Sequence, residues 1–127
     1  MYSLAVRDHI MIAHSLQSKV FGPAQKMHGA TYVVDAEFKV VSLDENNLVI
    51  DIGLASKALK KVLEEINYSN LDENETFKNT FTTTEFLCNF IHARLAKRMK
   101  DEAIFNGIIK ITLHESHIAW ASYESEI

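Results

Sequence analysis

Two stretches of the chain alternate apolar and polar residues with period two, and each ends or begins in a histidine. Over residues 2–14 the even positions Leu4, Val6, Asp8, Ile10, Ile12 and His14 share one face of an extended strand. Over the run from residue 28 the even positions His28, Ala30, Tyr32, Val34, Ala36, Phe38 and Val40 do the same. An antiparallel hairpin with His14 opposite His28 sets Ile12 against Ala30, Ile10 against Tyr32 and Val6 against Ala36. A slip of one residue would turn one apolar face to water, so this register is strongly specified. It places two imidazoles side by side at the mouth of the hairpin, which is half of a metal site.

Residues 15–27 have no clean period and carry the turn signal Gly22-Pro23. A hairpin connection of that length is uncommon and usually functional or lid-like. After the second strand, Asp44-Glu45-Asn46-Asn47 reads as a turn and Leu48-Val49-Ile50-Asp51 as a short strand. From Leu54 the period changes to that of a helix, with Leu59, Val62, Leu63 and Ile66 inward and Lys60, Lys61, Glu64 and Glu65 outward. Residues 68–74 form a polar loop. Thr82 and Glu85, three apart, read as a capping box that opens a second helix with Leu87, Phe90, Ile91, Leu95 and Met99 inward. His92 falls on that helix as a surface residue, and Cys88 as a small core hydrophobe. Residues 109–117 read as a strand with Ile109, Ile111, Leu113, Glu115 and His117 on one face, and a last strand runs from Ile118 to Tyr123. The order β-β-(short β)-α-α-β-β predicts an α+β domain with both helices on one face of an antiparallel sheet.

The chain, 127 residues long, predicts a single domain over 1–127 whose modest core would gain from oligomerisation. A formal charge of −4 with no basic block argues against a nucleic-acid partner. No apolar run has the length of a membrane span, and the N-terminus lacks a signal-peptide pattern. Cys88 is the only cysteine, so no internal disulfide forms and a reducing cytoplasm is the expected compartment.

Leu113-His114-Glu115-Ser116-His117-Ile118-Ala119-Trp120 is the second concentration of polar chemistry. A carboxylate at the end of an apolar face, such as Glu115, must find donors or stay wet. A 2-amino-4-oxo pyrimidine edge presents two parallel N–H groups, which a carboxylate accepts as a fork. Thr83 and Thr84 stand at a helix start, where free backbone N–H groups and hydroxyls can meet a ligand.

Ile12-Ala13-His14, the loop and His28-Gly29-Ala30 resemble the 6-pyruvoyltetrahydropterin synthase and 6-carboxytetrahydropterin synthase family, and the likeness runs over nearly the whole chain. In that family an Ala-His strand end and a His-Gly-His strand start supply three zinc ligands; the last of these is Ala30 here. The resemblance implies a tunnelling fold, closed into a barrel by trimers or hexamers, and zinc-assisted lyase chemistry on a dihydropterin side chain. It implies Glu115, Thr83 and Thr84 as substrate-binding residues and His14 and His28 as zinc ligands, with His117 the candidate for the third. The family's loop cysteine has no counterpart in residues 15–27. Its Asp-His pair is matched by Asp72-Glu73, leaving Asp72, Glu73 and His117, with His114, as the acid–base candidates. Two further readings stay open: a non-catalytic or regulatory binder of a pterin or purine on the same fold, and an unrelated α+β oligomer with structural histidines.

Overall fold

The computed structural model describes residues 1–127. Strands β1 (Tyr2–His14) and β2 (His28–Val40) pair antiparallel in the register set by their alternation, with His14 opposite His28, Ile10 opposite Tyr32 and Val6 opposite Ala36. Helix α1 (Ile52–Leu63) follows, then β3 (Ser69–Asn70), helix α2 (Thr84–Asp101), β4 (Ile108–His114) and β5 (Trp120–Glu126). β4 adds antiparallel to the far side of β2 and β5 to β4, while β3 lies parallel to the end of β1, giving the sheet order β3-β1-β2-β4-β5. This is the α+β arrangement expected from the sequence, with both helices on one face.

That face is apolar because alternate residues of each strand point into it. Ile10, Tyr32, Val34, Ala36, Phe38, Ile109, Ile111 and Leu113 are buried there against Leu59 and Leu63 of α1 and Leu87, Ile91, Leu95 and Met99 of α2. Each large side chain so buried stabilises the fold by about 1.5–3 kcal/mol. Gly107, at the entry to β4, is required by close approach: a Cβ there would lie 2.6 Å from the Lys39 carbonyl oxygen. The opposite face carries a polar ladder across three strands. Arg7 forks onto Asp35 at 2.6 and 2.9 Å, and His114 meets the same carboxylate through Nε2 at 2.9 Å. No helix is long and apolar enough to cross a membrane.

Several local expectations are corrected. Leu48–Asp51 is not a strand, because the Asp44 carboxylate captures the amides of Asn46 and Leu48 and folds the segment on itself. Asp51 is instead the N-cap of α1, accepting from the Leu54 amide at 2.9 Å, so the helix begins two residues before Leu54. The N-cap of α2 is Thr83, whose hydroxyl accepts from the Phe86 amide, while Thr82 is drawn inward. With that shift Glu85 sits one position too early to close a capping box. His92 is buried: its Nε2–H donates to the Ile109 carbonyl at 3.1 Å, and its ring meets Tyr123 edge-on. β4 ends at His114, and residues 115–119 turn before β5 starts at Trp120, two residues later than expected.

Candidate functional site

The mouth of the β1–β2 hairpin brings His14 and His28 together with ring centroids 4.6 Å apart and planes at 62°. His28 Nδ1 lies 2.8 Å from the Lys26 carbonyl, which can only accept, so Nδ1 carries the proton and Nε2 keeps a free lone pair. His14 is buried, with Nδ1 2.9 Å from the Thr82 hydroxyl. Burial, reinforced by His28, pushes its pKa below the usual histidine range, against a smaller opposing pull from Asp72. His14 is therefore a neutral imidazole at neutral pH.

A cleft of about 340 Å³ opens from this pair, within the size range of small-molecule sites. His14 and His28 line one end. Thr83, Thr84 and Glu85 enter from the first turn of α2, and Glu115, Trp120 and Ala121 from the β4–β5 turn. Leu16 and Phe21 of the 15–27 connection form another wall, and that connection folds as a 3₁₀ segment, Lys19–Gln25, with Gly22 at φ 52°. A positive φ there favours glycine over any other residue. Tyr32 lines the cleft as well; burial raises its phenol pKa, Thr84 acts in the lowering direction, and the nearby Glu115 charge adds to the rise.

Five of the residues singled out in the sequence, His14, His28, Thr83, Thr84 and Glu115, thus share one cleft. Asp72, Glu73 and His117 do not line it. The Asp72 carboxylate accepts from the Ser15 amide at 3.1 Å and from its hydroxyl at 2.5 Å, anchoring the chain just past His14. It lines a neighbouring cleft with Lys78, Thr80 and Phe81. Glu73 is exposed in the short 3₁₀ turn Leu71–Glu73, and His117 is exposed in the turn between β4 and β5. Thr82, Glu85 and Trp120 are the residues of the site that sequence reasoning did not assign. Trp120 was legible only through the exact start of β5, and Thr82 only through its contact with His14.

The chain supplies two imidazole donors but no third. No group of three or more histidine, cysteine, aspartate or glutamate side chains is placed to hold a metal ion, and Ala30 brings a methyl group to the strand position after His28-Gly29. A catalytic zinc held by three protein ligands therefore does not fit this cleft as one chain builds it. Cys88 cannot stand in for a reactive loop thiol. It is fully buried in the core, and burial pushes its thiol up to about 11.

Residues 3–126 match the family model for 6-pyruvoyl tetrahydropterin synthase. The chain belongs to that family. Among solved structures it is similar to Caenorhabditis elegans 6-pyruvoyl tetrahydropterin synthase, with a TM-score of 0.85 at 23% identity over 98% of this chain and 96% of that one. The Plasmodium falciparum 6-pyruvoyl tetrahydropterin synthase gives 0.76 at 18% identity, over 99% and 98% of the two chains. An uncharacterized protein from Wolinella succinogenes gives 0.74 at 12% identity, over 98% of each. At these identities the likeness establishes the fold, and it extends over the full length of each relative. No curated protein matches the chain.

Proposed function

We propose that this member of the 6-pyruvoyl tetrahydropterin synthase family binds a pterin-like heterocycle in the His14–Glu115 cleft and acts on its side chain as a lyase-type enzyme. The observation that carries the reading is the arrangement of the cleft. A carboxylate, Glu115, and two threonines, Thr83 and Thr84, stand on its lining with two histidines, His14 and His28. Glu115 accepts the paired N–H groups of the pyrimidine edge, and Thr83 and Thr84 offer hydroxyls to its remaining polar atoms. The ring's side chain then extends toward the histidines. His28, with Nδ1–H fixed on the Lys26 carbonyl, offers Nε2 as a proton acceptor. The neutral His14 offers a second such nitrogen, held in place by Thr82.

Two finer points belong to the same reading. The protein assembles as a trimer or hexamer. If zinc is held, its third donor, for which His117 is the candidate, comes from a neighbouring copy rather than from the same cleft. Metal analysis of the purified assembly, with His117→Ala beside it, tests this; full zinc content in the variant removes His117 from the donor set.

A second reading, a binding protein without turnover, is favoured by one observation. Asp72, the remnant of the family's acid–base pair, is engaged by Ser15. Fluorescence titration with neopterin tests binding, with loss of binding expected in Glu115→Gln. Conversion of a dihydropterin by the wild type, lost in His28→Ala, supports the lyase; tight binding without conversion supports the binder. Undiminished binding by Glu115→Gln would defeat both.

A further inference from the structure

The lining of the cleft carries no lysine and no arginine, and its charged groups are Glu85 and Glu115. His14 is held neutral at the far end, and Asp72 lies close enough for its charge to act on that ring. Lys26 meets His28 only through its backbone carbonyl, and Lys78 lines the neighbouring cleft with Asp72. Neither lysine is on the lining. Glu115 has an evident task, since a pyrimidine edge offers it two N–H donors. Glu85 has none of that kind. It is exposed at the start of α2 and takes part in none of the ion pairs of the chain.

The one feature of the cleft that would attract an anion is the N-terminus of α2. A helix start draws negative charge through its free amides and its dipole. Here that attraction is already answered from within the chain. The Thr83 hydroxyl accepts from the Phe86 amide, the Leu87 amide is bonded to the Thr83 carbonyl, and the Glu85 carboxylate lies in the first turn. Phosphate groups are usually held by cations and by free helix-start amides. This cleft offers two carboxylates instead.

We propose that the site takes a pterin-like heterocycle whose side chain carries only hydroxyl or oxo groups, and that Glu85 is the residue that disfavours the phosphorylated form. The inference rests on the pterin reading above and narrows its substrate class. A triphosphate side chain would bring several negative charges beside Glu85 with no cation on the lining to offset them.

The experiment is a pair of titrations on the purified full chain, with neopterin and with neopterin triphosphate, followed by fluorescence at low and at high sodium chloride. The triphosphate is expected to bind about tenfold or more weakly than neopterin at low salt, with the gap closing as salt screens the carboxylates. Glu85→Gln, an exposed and near-isosteric change, is expected to narrow the ratio of the two affinities severalfold. Equal or tighter binding of the triphosphate overturns the proposal. A gap that neither salt nor Glu85→Gln changes overturns the assignment to Glu85. Failure of both compounds to bind instead removes the pterin reading, and this inference with it.

Discussion

Thr82 is a small residue with a large part in this site, because its hydroxyl is the partner of the buried Nδ1 of His14. Thr82→Val keeps the shape and removes that partner, which leaves a buried ring nitrogen unsatisfied at a cost of about 1–3 kcal/mol. Urea unfolding should show that loss, and pterin affinity should fall with it because the imidazole is no longer held. His92 serves the core alone. His92→Ala should cost about 2–4 kcal/mol, from the lost bond to the Ile109 carbonyl and the cavity beside Tyr123, while leaving the pterin titration unchanged. Asp35 sets an acid limb of stability. Its carboxyl is held below its ordinary 3.8 first by the Arg7 hydrogen bond, with His114 adding to the effect. The unfolded chain therefore binds the proton first, so the contribution is complete above 3.8 and is lost as pH falls through the lowered value. Thermal midpoints followed into acid should fall steeply for the wild type and less steeply for Asp35→Asn.

At the scale of the elements, the two α-helices are set by their caps. Asp51→Ala removes the acceptor of the Leu54 amide and should cost about 1 kcal/mol, read as a lower urea midpoint with an unchanged slope. The strands were legible in the sequence to the residue. Period-two alternation in β1 and β2 has one register that buries both faces, and it put His14 opposite His28. The cap of α2 was not legible in the same way. Thr82, Thr83 and Thr84 have the same local chemistry, and the choice of Thr83 follows from a contact with His14, 68 positions away in sequence. His92 escaped for a related reason. Its position in α2 reads as polar, but the carbonyl that satisfies it belongs to β4. Leu48–Asp51 misled because a short β-branched apolar run has no intrinsic claim to a strand once a turn aspartate holds its amides. Of the site, the residues at strand ends and the helix start were readable. Those placed by the β4–β5 turn, above all Trp120, depended on a boundary that alternation alone does not fix.

At the scale of the whole molecule, the sheet has open sides. β3 covers only Ile12 and Ala13 of β1, so most of that strand has a free edge, and β5 is an edge along its length. Such edges invite strand-to-strand joining, and light scattering of the purified protein should report a trimer or larger; a stable monomer at micromolar concentration would defeat that expectation. The pairing of β2 with β4 has a consequence in time. It joins residues 33–39 to residues 108–114, across both helices. His14 and His28 therefore emerge from the ribosome early, while Glu115 and Trp120 come close to the end of the chain. At about 5–20 residues per second of synthesis, the hairpin waits several seconds for the strand that completes its sheet. During that wait the apolar face of β1 and β2 can be covered only by whatever has already been made. A nascent chain stalled before β4 would display both histidines with no carboxylate opposite them, and ligand present during synthesis could speed only the final docking of the last hairpin.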